Sequence, residues 1–341
     1  MSSEQNKAAI VRDAAWFAHR YESASDTVSF VHADRAAHRA APFLRDNYLP
    51  ESDAPVSIDR REAVAAAPAG APIHFIFHTG YCCSTLVARA FDVPGVAMGL
   101  KEPLILNDLS VWSLDGAEPA RVEAVLDDSL TLLARPFAPG EAVIVKPSNV
   151  PNNLIGAILR LRPEAKAVLM YAPLRAYLPS IASKGMDGRA WVRMLHNNLV
   201  KEGRLKLDFT MEQFMELTDL QVAALGWMAQ QLQMQALALH FGRERVATLS
   251  SETLLADPSA AITALDRLFG TGMDADAIDA IVTGPTFARN AKTGETYSPA
   301  QRAAEREATM AVYGGEIEVV ANWAEKLAGR TGVAMALAAP L

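Results

Sequence analysis

Residues 73–91 constrain the fold of this chain more than any other segment, because they predict a strand, a short loop and a helix in succession. The run Ile73–His78 is apolar, rich in aromatic residues and of strand length. The run from Leu86 to Phe91 has the composition of a helix. A strand joined to a helix by so short a loop directs backbone N–H groups and a helix N-terminus at an anion such as phosphate or sulfate.

The loop itself supplies candidate anion-binding residues. Ser84 and Thr85 stand where the helix should begin, so their hydroxyls can bind the same anion as the backbone. The candidate residues are Thr79, Gly80, Tyr81, Cys82, Cys83, Ser84 and Thr85. On its own, the loop is equally consistent with an ordinary strand-to-helix turn in which Ser84 is the N-cap.

The loop differs from the P-loop that binds nucleoside triphosphates. That motif ends in Gly-Lys-Ser/Thr, whereas Gly80 is followed by Tyr-Cys-Cys-Ser-Thr, with no Lys before the hydroxyl pair. No local cation therefore neutralises β- and γ-phosphates. The sequence favours a single phosphate that carries a small transferring group, and it indicates an enzyme that uses a phosphonucleotide.

Composition and charge narrow the class of protein. The 341 residues are half apolar and carry a net charge of −7, which indicates a globular protein and argues against a general nucleic-acid binder. Cys82 and Cys83, the only cysteines, are adjacent, which disfavours a disulfide and a zinc site and indicates a reducing compartment. Without a signal-peptide core or an apolar run of about 20 residues, we expect a cytoplasmic protein with no membrane partner.

The order of predicted elements indicates an α/β protein. Residues 1–71 are expected to be a helical N-terminal preface, with helices over 8–21 and 34–44 and a loop over 49–72. Residues 72–341 are expected to be one α/β domain with a helical cap at about 187–241. Strands that alternate with helices predict a parallel sheet with helices on both faces, in the three-layer arrangement of P-loop NTPases. The predicted strands cover about 73–78, 96–100, 141–146, 165–171 and 245–249.

Charged side chains follow several of these strands, at the edge where such sheets bind ligands. Lys101 and Glu102 follow the second strand, and Glu102 is a candidate general base toward a hydroxyl or amine. Lys146 ends the third strand and can bind the oxygens of a transferring group. Both features are also consistent with solvated surface charges. His78 ends the first strand beside the loop and is a candidate catalytic residue that could hydrogen-bond either the group donor or the acceptor.

A second candidate anion site follows the fourth strand. Arg175 and Ser180 are a plausible pair, because arginine makes bidentate contacts with phosphate. Late in the chain, the basic segment 287–294 contains Arg289 and Lys292.

These segments, in this order, resemble the sulfotransferase superfamily over roughly residues 72–270. The run Tyr81–Leu86 is similar to the family's loop of Lys or Arg, Ser, Gly, Thr, Thr, and Tyr171-Ala172-Pro173 with Ser180 is similar to its Arg-Asp-Pro and Ser. The run 248–258 follows the family's Tyr-Glu-Asp-Leu, two residues, Asp-Pro. Leu100–Pro103 is similar to an acidic acceptor-site segment found in many bacterial and tyrosyl-protein members.

The sequence also departs from the family's pattern. Tyr81 and Tyr171 stand where the family has basic residues, Cys83 replaces a glycine, and Ser180 lies one residue later than usual. Cations for the donor would then come from other positions. The basic candidates are Lys101, Lys146, Arg175, Lys184, Arg289 and Lys292.

The resemblance implies a co-substrate and a mechanism. The donor is 3′-phosphoadenosine 5′-phosphosulfate, the acceptor is a small molecule with a hydroxyl or amine, and no metal is required. The amides of 80–85 with Ser84 and Thr85 would hold the phosphosulfate. Arg175, Ser180, Arg289 and Lys292 would bind the nucleotide. Lys146 or Lys101 would neutralise the leaving phosphate, and Glu102 would accept the acceptor's proton.

Two other functions stay open at this point. A nucleotide-dependent phosphotransferase would need a loop lysine and a magnesium carboxylate at a strand end. A non-catalytic binding protein that keeps the fold is favoured by Tyr81 and Tyr171 and opposed by Ser84, Thr85, Glu102 and Lys146. The sequence indicates neither the acceptor nor the oligomeric state.

Overall fold

The computed structural model describes residues 3–49, 54–203, 210–296 and 298–341. The strands of this part of the chain are β1 Trp16–Glu22, β2 Thr27–His32, β3 Val56–Asp59, β4 Ile73–His78, β5 Ala97–Lys101, β6 Ala142–Lys146, β7 Ala167–Tyr171 and β8 Val246–Ser250. Its α-helices are α1 Ser3–Arg12, α2 Arg35–Ala40, α3 Arg60–Ala66, α4 Ser84–Ala90, α5 Leu104–Leu114, α6 Pro119–Leu133, α7 Ile155–Leu161, α8 Leu174–Ala182, α9 Gly185–Lys201, α10 Met211–Met215, α11 Asp219–Phe241, α12 Ser251–Ala256, α13 Pro258–Phe269, α14 Ala275–Thr283, α15 Pro285–Ala288 and α16 Pro299–Thr331. A 3₁₀ turn, Val150–Leu154, precedes α7.

The larger sheet has five strands in the order β5-β6-β4-β7-β8. Strand β6 pairs in parallel with β5 and with β4. Two backbone hydrogen bonds show that β7 runs beside β4 in the same direction. Phe75 N–H donates to Lys166 O, just before β7, and Thr79 N–H, just after β4, donates to Met170 O. The predicted α/β class, with a parallel sheet surrounded by helices, is confirmed.

The predicted strands form because their side chains are buried on both faces. Every residue of β4, β5 and β7 is buried, so these strands read as continuous apolar runs and not as alternating ones. Gly99 in the middle of β5 lets α4 approach closely, since a Cβ there would lie 2.8 Å from the carbonyl oxygen of Ala88. The structure therefore needs glycine at this strand position.

Contacts within the chain divide it into two compact units. Unit 1 comprises Met1–Phe77, Ser84–Val168 and Ile262–Gly294, and unit 2 comprises His78–Cys83, Leu169–Ala261 and Glu295–Leu341. The predicted division of the chain at 71/72 stays a prediction.

In unit 1, the predicted helical preface is wrong in part, because residues 16–59 contain a three-stranded antiparallel sheet in the order β1-β2-β3. Helix α1 ends at Arg12, and the residues expected to continue it form β1. Phe17 and Tyr21 fit a helical spacing with Ile10, but they lie in a run rich in aromatic residues, which favours a strand. Residues 49–72, expected to be a loop, contain β3 and α3.

In unit 2, α9 and α11 pack against each other around Leu195, Leu199 and Ala229. Helix α11 is buried at Leu220 and from Val222 to Gln231, and its later residues include exposed ones such as Leu239. Trp227 lies within it, fully buried, and its indole N–H donates to the Ala172 carbonyl at 2.9 Å. The predicted long helices at 187–241 are therefore present as α9 to α11, and residues 204–209 lie outside the described part of the chain.

Strand β8, at one end of the sheet order, is covered by the last residues of the chain. Thr248 N–H donates to Ala339 O at 2.9 Å, and Leu341 N–H donates to Thr248 O at 3.0 Å. The Thr248 hydroxyl adds a bond to Ala338 O at 2.9 Å. The segment thus occupies backbone groups that an edge strand would otherwise expose.

Across the described ranges, no helix combines the length and the apolar character that crossing a membrane requires.

Candidate functional site

A buried ion pair stands where β5 and β6 end, in unit 1. Lys101 and Lys146 are paired across the two parallel strands, so Glu102 is the first residue beyond the pairing. The Glu102 N–H donates to the Lys146 carbonyl at 2.6 Å. Its carboxylate accepts a hydrogen bond from Lys146 Nζ at 2.5 Å. Sequence reasoning proposed roles for both residues, and the structure brings their side chains together.

The backbone at Glu102 is left-handed, with φ of +58°. Non-glycine residues adopt this conformation infrequently, and it tends to occur at turns and functional sites. Here it turns the chain sharply out of β5, and the carboxylate lies against Lys146. The hydrogen bond from Glu102 N–H to the Lys146 carbonyl and the one from Lys146 Nζ to the Glu102 carboxylate hold the residue in this conformation.

Arg45 is the third member of this group and was missed by the sequence analysis. Its guanidinium donates to the second carboxylate oxygen of Glu102. The Leu44 N–H donates to Lys101 O at 2.7 Å, which fixes the segment before Arg45 against the end of β5. No sequence signal joins Arg45 to Glu102, since 57 residues separate them. We call Arg45, Glu102 and Lys146 the carboxylate cluster.

The charges of the carboxylate cluster determine the protonation of Glu102. Burial of the carboxyl, which is 6% exposed, raises its pKa, but the nearby cations Lys146 and Arg45 and their hydrogen bonds outweigh burial and lower it below the usual range. Glu102 is therefore ionised at neutral pH. Phe43 lies beside both cations, its ring centroid 5.2 Å from Arg45 Cζ and 5.5 Å from Lys146 Nζ, so its face adds a cation–π attraction.

Lys101 does not join the carboxylate cluster, although it precedes Glu102. Its ammonium is fully buried and donates to the backbone carbonyls of His38 at 2.6 Å and Arg39 at 3.3 Å, at the end of α2. Burial, followed by the charge of Arg89, lowers its pKa to about 7. This placement favours a structural role for Lys101 over its predicted role at the leaving phosphate.

The segment His78–Cys83, which begins at the last residue of β4, lies in unit 2 and has an unusual backbone. Gly80, Tyr81 and Cys83 all have positive φ, at 92°, 52° and 63°. The Gly80 N–H donates to His78 Nδ1 at 3.0 Å, so His78 braces the turn. A backbone that changes hand between successive residues can turn several N–H groups toward one point, as in anion-binding nests. We call residues 78–83 the anion loop.

Thr79 is the most informative side chain of the anion loop. It is fully buried, its N–H donates to Met170 O, and its hydroxyl oxygen has no hydrogen-bond partner among the described residues. A buried hydroxyl without a partner costs about 1–3 kcal/mol. Such a group at a predicted ligand-binding loop fits a partner that arrives with the ligand.

Tyr81 packs into the helices that follow. Its ring meets Tyr177 of α8 and Trp191 of α9 edge to face, at centroid distances of 6.1 Å and 5.4 Å. Burial, followed by the charge of Asp187, raises the pKa of its phenol. Tyr81 is therefore a packing residue that joins the anion loop to α8 and α9.

Cys82 and Cys83 complete the anion loop and form no disulfide. The buried Cys82 thiol donates to Met170 O at 3.5 Å. Ser84 and Thr85 follow directly in the chain as the first residues of α4, in unit 1, and both are buried. The structure thus confirms that this helix begins at the predicted hydroxyl pair.

The predicted anion pair Arg175 and Ser180 is already engaged within unit 2. The Arg175 guanidinium donates to Glu325 at 2.7 Å, to Glu318 at 2.6 Å and to Asn322 at 2.8 Å, all on α16. The Ser180 hydroxyl donates to Ala176 O of its own helix at 3.0 Å. An arginine between two carboxylates is a poor anion site, and the prediction for this pair gains no support from the geometry.

Arg289 and Lys292 lie in an exposed segment of unit 1 after α15. Arg89 of α4 donates to the Ala291 carbonyl at 2.8 Å and ties this segment to the helix that follows the anion loop. Their role as a nucleotide-binding basic segment stays a prediction. Within the described ranges, no three His, Cys, Asp or Glu side chains form a cluster suited to a metal ion.

Comparison with known proteins finds matches only among solved structures. No protein-family model and no curated protein sequence matches the chain. The sulfotransferase domain from the curacin biosynthetic pathway is 14% identical, with a TM-score of 0.40, over 68% of this chain and 85% of that one. The sulfotransferase domain of the Synechococcus olefin synthase is 15% identical, with a TM-score of 0.42, over 70% and 89%.

A third solved structure, sulfotransferase STF1 from Mycobacterium tuberculosis, is 14% identical, with a TM-score of 0.41, over 74% of this chain and 78% of that one. Similarity this distant does not by itself carry an activity from one protein to another. These three solved structures are sulfotransferases or sulfotransferase domains.

Proposed function

We propose that the protein transfers a sulfuryl group from 3′-phosphoadenosine 5′-phosphosulfate to the hydroxyl or amine of a small-molecule acceptor. The observation that supports this most directly is the anion loop, with its three positive φ angles and the unpartnered Thr79 hydroxyl. It follows the carboxyl end of β4 in a parallel sheet, where ligands bind in such folds.

The residues of the anion loop fit a phosphosulfate. The oxygens of a phosphosulfate accept hydrogen bonds and donate none. They therefore match the backbone N–H groups of the loop and the Thr79 hydroxyl, which are donors. The Thr79 hydroxyl, buried without a partner among the described residues, would gain a hydrogen bond when such an anion binds. Ser84 and Thr85, next in the chain, are candidates for further donors.

The carboxylate cluster supplies the proton acceptor in this proposal. Glu102 is ionised because Lys146 and Arg45 hold its pKa below the usual range, so it has an empty position for a proton. When negative charge develops on the leaving phosphate and draws Lys146 Nζ toward it, Glu102 loses one cation and becomes a stronger base. The ion pair thus couples charge neutralisation with proton uptake.

The reaction balances as a direct displacement. The acceptor oxygen or nitrogen forms a bond to sulfur while the bond from sulfur to the phosphate oxygen breaks. The acceptor's proton passes to Glu102, and the electron pair of the broken bond leaves with 3′-phosphoadenosine 5′-phosphate. Positioned cations and amides stabilise the charge that moves during this step.

Calorimetric titration with 3′-phosphoadenosine 5′-phosphate tests the donor site, with ATP–Mg²⁺ titrated in parallel. We expect the bisphosphate to bind, and both Thr79→Val and the double variant Ser84→Ala/Thr85→Ala to weaken binding. Thr283→Val is the matched control, because that hydroxyl is exposed and donates to Asp279 O within its own helix. Binding of ATP–Mg²⁺ alone would instead identify a phosphotransferase.

A non-catalytic binding protein is the second candidate, and one observation favours it. Arg175, a candidate for the nucleotide phosphate, is held by Glu318 and Glu325. Bisphosphate binding without turnover over a broad acceptor screen would support this function. We also propose a cytoplasmic location, since Cys82 and Cys83 form no disulfide.

A further inference from the structure

We propose that the protein forms a reversible antiparallel homodimer through one exposed face of α16 in unit 2. The face is a stripe of residues separated by steps of three and four, the spacing that keeps side chains on one side of a helix. It consists of Glu305, Ala308, Val312, Gly315, Val319, Trp323 and Lys326. We call these residues the α16 stripe.

The centre of the α16 stripe is apolar and faces solvent. Val312 and Val319, two turns apart, are 72% and 69% exposed. The opposite side of the same helix is buried in unit 2 through Ile317, Ala321 and Ala324. The helix therefore already has a core-facing side, and the exposed valines form a second apolar side that no described part of the chain covers.

Gly315 lies between the two valines and has no reason within the chain to be glycine. A Cβ at this position would meet nothing within 4 Å, and glycine inside a helix costs about 1 kcal/mol relative to alanine. The missing side chain leaves room for a second helix to approach. Gly315 also lines a groove of about 420 Å³, together with Val319, Trp323, Gln221 of α11 and its N-cap residue Thr218.

Six of the seven stripe residues pair with one another when the stripe is set against its own reverse, and Gly315 then lies opposite Glu316, which points to a second copy of the chain as the occupant. A two-fold axis between Gly315 and Glu316 sets Val312 opposite Val319 of the second copy. The same axis sets the small Ala308 opposite the large Trp323. At both ends it sets Glu305 opposite Lys326, so opposite charges meet. Closed dimers with two-fold symmetry require this self-complementarity.

The interface is small, so the dimer should dissociate on dilution. One helix pair buries less than the roughly 1,600 Å² of a standard stable interface. Sedimentation velocity of the full chain, from about 1 to about 300 μM, should show a monomer–dimer equilibrium. A chain that stays monomeric over the whole range would overturn the proposal.

Substitutions test separately whether the α16 stripe forms the interface and whether the two helices run antiparallel. Val319→Glu should weaken dimerisation at least about tenfold, a change of 1.4 kcal/mol. Val200→Glu, at a valine of α9 that is 52% exposed, should leave dimerisation unchanged, and equal effects of the two substitutions would contradict the proposal. Circular dichroism and thermal unfolding should be unaltered in both variants, because both valines are exposed.

The charge pair tests the antiparallel register. Glu305→Lys and Lys326→Glu should each weaken the dimer, since each sets like charges opposite one another. The double variant Glu305→Lys/Lys326→Glu should restore it. A double variant as weak as either single variant would exclude the antiparallel arrangement.

Discussion

Glu102 and Lys146 are joined twice, once through their side chains at 2.5 Å and once from the Glu102 N–H to the Lys146 carbonyl at 2.6 Å. The backbone bond places the carboxylate, and the ammonium then keeps it ionised. An ion pair this deeply buried contributes little net stability on average, because desolvation opposes the attraction. Its location at the ends of two parallel strands fits the role in proton transfer that we propose for Glu102.

Glu102→Gln should reduce turnover of an accepted substrate by about 10²–10⁴-fold, the usual contribution of a positioned general base. The amide keeps the shape and one acceptor oxygen but cannot take the proton at neutral pH. Initial rates give kcat, and calorimetry should show unchanged affinity for 3′-phosphoadenosine 5′-phosphate. Glu216→Gln, at an exposed position after α10, is the control.

The pH dependence of the unfolding free energy of Glu102→Gln tests the lowered pKa of Glu102. Because the folded pKa of Glu102 is lowered, the contribution of its charge is present above the unfolded value of about 4.3 and is lost as pH falls through the folded pKa. The difference in unfolding free energy between wild type and variant should be constant at pH 6–8 and shrink below about pH 4. A constant difference down to pH 3 would contradict the assigned pKa direction.

Lys101→Met should change the pH dependence of stability at neutral to alkaline pH, whereas Glu102→Gln changes it at acid pH. The folded pKa of Lys101 is about 7, below the unfolded value of about 10.4, so between these values the unfolded chain binds more protons. Wild-type stability should therefore rise with pH across this window relative to Lys101→Met, by up to about 1.4 kcal/mol per pH unit. Urea unfolding of wild type and Lys101→Met at pH 6.5, 8 and 9.5 measures this difference in stability. The same pH dependence in both proteins would contradict the lowered pKa of Lys101.

Thr79→Val separates a ligand-binding hydroxyl from a structural one. The substitution keeps the shape and removes a buried oxygen without a partner, so the free protein should be as stable as wild type or more stable, by about 1 kcal/mol. Affinity for 3′-phosphoadenosine 5′-phosphate should fall by about tenfold. Loss of stability in the absence of ligand would show that the hydroxyl already has a partner in the folded chain.

Gly99→Ala should destabilise unit 1 by about 1–3 kcal/mol, because the new Cβ would overlap the Ala88 carbonyl oxygen and push α4 away from β5. Gly329→Ala in α16 is the contrasting variant. Nothing lies within 4 Å of its added Cβ, so alanine should stabilise the helix by about 1 kcal/mol. Chemical denaturation compares the two, and similar effects of both substitutions would refute the proposed close approach.

The strands of the parallel sheet were predictable because burial on both faces gives them continuous apolar sequences. The strand β5 was expected at 96–100 and is found at Ala97–Lys101, and β6 was expected at 141–146 and is found at Ala142–Lys146. Strand β1 was not predictable in the same way. Its apolar residues happen to continue the helical spacing of α1, and the pairing of β1 with β2 that decides its conformation is a tertiary contact.

The candidate site was predictable in its residues but not in its connections. Local order placed Glu102 and Lys146 at strand ends, where parallel strands bring them together. Arg45 comes from a distant segment, and only the folded chain shows its contact with Glu102. Arg175 illustrates the converse, since a motif position suggested an anion site and the acidic side of α16 occupies its guanidinium.

The bonds from Thr248 to Ala338, Ala339 and Leu341 have a consequence for how the protein behaves when it is shortened. Removing these few residues deletes almost nothing from the core, yet it uncovers the outer backbone of β8. An open strand edge is a template for pairing with another chain. Residues 338–341 cover this backbone, so a variant in which they no longer pair with β8 should lose solubility at high concentration before it loses its fold.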